Sequence, residues 1–156
     1  MLGVDFSPRH RQPRAPAVAV ASVVAVGGSL AADAVLVAIG TAVFPSTEGY
    51  VHFAFADYAK LTVIGVLIAC AAWPVTTRVT AAPRWLYFRL AVVVTLVLWL
   101  PDLWLLVRTA PPPAVAVLVC MHLAIAVVTY HALVHLAPVR RPRRGPASRP
   151  PAAVEG

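Results

Sequence analysis

The chain has 156 residues, of which 60% are hydrophobic and 12% charged, about half the charged fraction of an ordinary soluble domain. A soluble monomer of this size would leave much of that apolar surface in water, because small domains bury only about two-thirds of what their unfolded chain exposes. The net charge of +7 does not mark a nucleic-acid binder, since the basic residues stand at the ends of apolar runs and not along a groove or a helix face.

Residues 1–16 form a basic tail, and 17–137 carry four apolar runs at about 17–43, 56–75, 90–107 and 114–136. Each approaches or exceeds the roughly 20 residues that cross hydrocarbon at about 1.5 Å per residue. None has the in–out alternation of a barrel strand, and only helices or closed barrels satisfy every backbone group in lipid. The expected fold is therefore all-α: a polytopic membrane protein with an antiparallel four-helix transmembrane bundle and disordered basic tails. The breaks carry turn residues, with Pro45, Ser46, Glu48 and Gly49 after the first run, Pro83 between the second and third, and Pro111, Pro112 and Pro113 before the fourth.

In the first run, Ala21, Ala25 and Ser29 recur every fourth residue and suit close helix contact. Asp33 opposes its insertion by roughly 3 kcal/mol on the biological scale, so packing is expected to hold this helix in place. The sequence Ala31-Ala32-Asp33-Ala34 also suits a signal cleavage site, but the apolar run continues to residue 43 and is longer than a signal core. An uncleaved first helix is expected.

Ionisable residues inside spans are costly unless they face the bundle interior or water. Asp33, Lys60, Asp102 and His122 come one from each helix and fall in the same half of the bundle. They are the candidate intramembrane polar cluster. Two readings of it stand: a structural network that fixes helix register, or a site that binds a cation or relays protons. Lys60 has a competing arrangement, because Asp57 lies three residues before it on the same face. Pro101, next to Asp102, removes a helix hydrogen bond beside that carboxylate.

His131 and His135 share a helix face, while His122 points to the opposite side, so no single pocket readily uses all three. Neither a metal site nor a cofactor is expected. Cys70 and Cys120 belong to separate spans at different depths and read as small core residues without redox pairing.

Eleven of the 13 basic residues flank the spans on one side, Lys60 and Arg108 being the exceptions. This bias places both termini in the cytoplasm, in the cell's inner membrane. The segment 138–156 is expected to be disordered, with Arg140, Arg141, Arg143 and Arg144 at anionic lipid head groups.

With four helices, both ends inside, Pro101-Asp102 on the third and Met121-His122-Leu123 on the fourth, residues 17–137 resemble small actinobacterial integral membrane proteins of unassigned function. The resemblance implies topology and carries no activity or catalytic residues. No nucleophile with a base, metal set or dithiol pair appears at enzymatic spacing. The expectation is an integral membrane protein serving as a structural or accessory subunit, possible as a homo-oligomer or with a membrane partner. The alternative is a small proton- or cation-linked transporter.

Overall fold

The computed structural model describes residues 11–108 and 110–139. The described chain forms four long helices: α1 (Ala15–Val43), α2 (Phe55–Val79), α3 (Pro83–Val107) and α4 (Pro112–Leu136), with two short 3-10 turns, Pro45–Thr47 and Val51–Phe53, between α1 and α2. All four are long and apolar enough to cross a membrane. The protein is a multi-pass, all-helical membrane bundle.

The helices extend past the apolar runs that announce them. The third begins at Pro83 instead of 90, and the second continues through Pro74 to Val79. Hydropathy marks the hydrocarbon segment only. The added turns carry Arg78, Arg84, Trp85 and Arg89, side chains suited to the interface. Prolines open α1, α3 and α4 within the first two helical positions, where the missing N–H has no helical acceptor to lose.

Sequential helices alternate in direction. The side carrying segment 44–54 and the α3–α4 connection is called here the loop side; the opposite side, where α1 begins and α4 ends, is the terminal side. The α1/α4 contact is the most extensive, α2 packs on α1, and α3 rests on α4 with a lighter contact to α2. Close approach of α1 to α4 depends on small residues. A Cβ on Gly40 would lie 2.6 Å from Val117 Cγ2, and one on Gly28 would lie 3.0 Å from Val128 Cγ1. The stripe of Ala21, Ala25 and Ser29 is fully buried.

Burial is inverted relative to a soluble domain. Val23 and Leu61 are 73% and 72% exposed, whereas Ser29, Asp33 and Thr77 are each 0% exposed. Lipid solvates the large aliphatic side chains, so the interior selects for small or hydrogen-bonding groups.

Two apolar clusters close the bundle. On the terminal side Ala21, Ala25, Val66, Cys70, Trp73 and Leu133 pack together. Trp73 Nε1 donates to the Ala137 carbonyl at 2.9 Å, capping the end of α4. Tyr87 lies edge-on to Trp73 and donates to the Ala69 carbonyl at 3.1 Å. Gln12 and Thr77 exchange two bonds, from Gln12 Nε2 to the Thr77 carbonyl (3.1 Å) and from Thr77 Oγ1 to Gln12 Oε1 (2.7 Å). On the loop side Phe53, Tyr58, Ala114, Val117, Leu118 and Met121 pack beneath Tyr50.

Candidate functional site

A polar layer occupies the interior between these clusters. The buried stripe of α1 continues from Ser29 to Asp33, which is itself 0% exposed. Across the α1/α2 contact, Thr62 donates from Oγ1 to Asp33 Oδ2 at 2.6 Å. Asp33 Oδ1 has no hydrogen-bond partner among the described residues.

The other half of the layer joins α3 to α4. His122 Nδ1 lies 3.1 Å from the Leu118 carbonyl and 2.9 Å from Asp102 Oδ2. A carbonyl only accepts, so Nδ1 carries the hydrogen. That hydrogen is aligned with Leu118, and Asp102 Oδ2, though close to the ring nitrogen, lacks an aligned hydrogen bond. Asp33 and His122 are within electrostatic reach of one another, and Tyr58 stands in the same relation to Asp33. The two pairs therefore form one layer.

Lys60 does not belong to it. Its side chain is 70% exposed and pairs with Asp57 at 3.6 Å. The reason is rotational: Lys60 precedes Thr62 by two residues, about 200° around the helix, so a helix that turns Thr62 toward Asp33 turns Lys60 away. Asp33, Asp102 and His122 come together, and Lys60 is replaced by the hydroxyl of Thr62.

Sequence reasoning missed Thr62, Tyr58 and Tyr50. Thr62 and Tyr58 share a face with Val66 and Cys70, all buried, so the spacing of hydroxyls on α2 was the available signal. Tyr50 reaches the layer from the connecting segment. It is half-buried, and burial, with the Asp102 carboxylate adding to it, raises its phenol above the usual tyrosine value.

Two further hydroxyls extend the buried polar surface. Ser29 Oγ lies one turn along α1 from Asp33, and Thr129 Oγ1 lies two turns along α4 from His122; neither has a partner among the described residues. Beyond them Val66, Trp73 and Leu133, each 0% exposed, block the terminal side. The layer can hold a proton or a small polar species in the interior, with these apolar side chains between it and the terminal side.

His131 and His135 are exposed, with rings stacked 5.5 Å apart. Among the described residues no three His, Cys, Asp or Glu side chains converge as a metal site would require. Cys70 is buried; Cys120, expected in the core, is exposed because its side chain lies on the outer face of α4. Arg140, Arg141, Arg143 and Arg144 lie outside the described residues.

Comparison of the chain with protein-family models, with curated proteins and with solved structures finds no match.

Proposed function

We propose that the protein is a small proton-linked membrane component in which Asp33, served by His122 and Asp102, takes up a proton from the loop side. The observation that carries this reading is the fully buried Asp33 carboxylate, with one oxygen bonded and the other unpartnered. A buried polar network kept for structure alone is expected to satisfy its members, since each orphaned group costs about 1–3 kcal/mol. A carboxylate that accepts and releases a proton needs spare capacity at its oxygens. His122 is suited to exchange protons with it, because imidazole changes charge closest to neutral pH. Tyr50 and Asp102 lie on the approach from the loop side.

The block at Val66, Trp73 and Leu133 argues against free conduction through one rigid bundle. Transfer across the membrane would require rearrangement, a second copy or another membrane protein, which keeps the role of an accessory subunit within this proposal. In the same reading the protein resides in a bacterial inner membrane with both termini cytoplasmic and the polar layer in the outer half. The bias of basic residues supports this orientation, with Arg140, Arg141, Arg143 and Arg144 at anionic head groups. The resemblance to small actinobacterial membrane proteins is consistent with that topology.

A purely structural role is the second reading. It is favoured by the way Asp33–Thr62 joins α1 to α2 while Asp102–His122 joins α3 to α4. Reconstituted vesicles with an internal pH dye, combined with membrane abundance of the same variants, separate the two. Proton-linked function predicts that Asp33→Asn, Asp102→Asn and His122→Gln reduce proton movement at normal abundance, while Lys60→Gln changes neither. Reduced abundance with no change in proton movement per molecule would overturn it in favour of the structural role.

A further inference from the structure

A cavity lies between α3 and α4. It is a half-open cleft of about 250 Å³, walled by Phe88, Val92, Leu96 and Trp99 of α3 and by Leu123 and Val127 of α4, among others, with His131 at one end. From Phe88 to Trp99 it runs about 16 Å along the helix, roughly the depth of one leaflet of a 30 Å hydrocarbon core. Its long axis and apolar walls match an extended hydrocarbon chain.

The charge at its terminal-side end is one-signed. Arg84 stands one turn before Phe88 on the stripe that forms the α3 wall, and Arg89 is exposed, with its guanidinium 3.8 Å from the Trp85 ring. His131 lines the cleft and stacks on His135. Among the described residues the acidic side chains are Asp33, Glu48, Asp57 and Asp102, all in the loop-side half. Among the described residues the ammonium of a zwitterionic head group finds no counter-charge at this mouth, whereas an anionic head group, whose net charge is its phosphate, meets only guanidinium and imidazole donors.

We propose that the α3/α4 cleft seats one acyl chain of an anionic phospholipid from the terminal-side leaflet, with its phosphate held by Arg84, Arg89 and His131. Aromatic packing shapes this end of the site: Tyr130 stacks on Tyr87 at 6.0 Å and meets Phe88 edge-on at 5.7 Å. The site is independent of the proton-linked reading, because none of its residues belongs to the Asp33 layer.

The test uses the full chain, reconstituted in vesicles of equal phosphatidylglycerol and phosphatidylcholine, extracted in mild detergent and weighed by native mass spectrometry. Retention of about one phosphatidylglycerol per chain is expected, with little phosphatidylcholine. Arg84→Ala and Arg89→Ala should each lower that preference about fivefold, the factor expected for one basic residue near an anionic surface. Ala126→Trp and Ala91→Phe, two independent fillings of the cleft, should abolish retention in whichever variant keeps the helical content of the parent. Equal retention of both lipids would overturn the proposal. So would phosphatidylglycerol retention that survives a filled cleft but disappears when residues 140–156 are removed, which would place the lipid on the C-terminal arginines.

Discussion

Thr62 of α2 donates a 2.6 Å hydrogen bond to Asp33 of α1, and the acceptor is a carboxylate with no exposed surface. The bond replaces water for one oxygen of the most deeply enclosed acid among the described residues. Thr62→Val keeps the shape and removes the donor, so it should destabilise the bundle by about 1–3 kcal/mol. Asp33→Asn should restore part of that loss in the double variant, because a neutral amide tolerates the missing donor better than a carboxylate does. Reversible unfolding in detergent with a double-mutant cycle measures both effects; additive losses would mean that the bond does not couple the two residues.

The bond from Trp73 to the Ala137 carbonyl gives a second expectation at the terminal side. Trp73→Phe retains an aromatic ring beside Tyr87 but leaves the end of α4 without its indole donor. A loss of about 1–2 kcal/mol is expected, with faster hydrogen exchange confined to the last turn of α4. Unchanged exchange there would show that the cap contributes nothing.

Glycines on α1 separate packing from propensity. Gly40→Ala would place a Cβ 2.6 Å from Val117 Cγ2 and 3.4 Å from its Cγ1, so rotating this branched side chain offers little relief. A loss on the order of 1–3 kcal/mol is expected from overpacking the α1/α4 contact. Gly27 has nothing within 4 Å of an added Cβ. Gly27→Ala should be neutral or stabilising by up to about 1 kcal/mol, through helix propensity alone. Thermal unfolding of the two variants in the same detergent checks the contrast.

Tyr50 should titrate above an ordinary tyrosine because burial, then the nearby Asp102 carboxylate, disfavours the phenolate. The sign follows directly: a folded-state value above the unfolded one gives a stabilising contribution that is intact below about pH 10 and is lost as pH rises through the folded value. Ultraviolet titration of the phenolates, compared between the parent and Tyr50→Phe, isolates the Tyr50 contribution. Asp102→Asn should move it part of the way back toward the ordinary value.

Among the polar residues, legibility depended on the helix. Asp33, Asp102 and His122 stood out because ionisable groups are rare in apolar spans, and the Ala21–Ala25–Ser29 spacing marked the buried face of α1. Lys60 was equally conspicuous but faces outward, while Thr62, two residues away, carries the contact to Asp33. Charge alone does not distinguish those two rotations; the four-residue spacing of Tyr58, Thr62, Val66 and Cys70 was the signal that does.

The sequence by itself determined the solvent, the number of crossings and their alternating direction, because these follow from the length and apolarity of each run and from where the turns fall. Tertiary structure decided which residues share the interior. Helices that are apolar all round carry little information about rotation about their own axes, since lipid accepts a leucine as readily as the bundle does. Close contact at Gly28 and Gly40 and the pairing of buried polar groups choose the rotation instead, and both exist only once the helices have met.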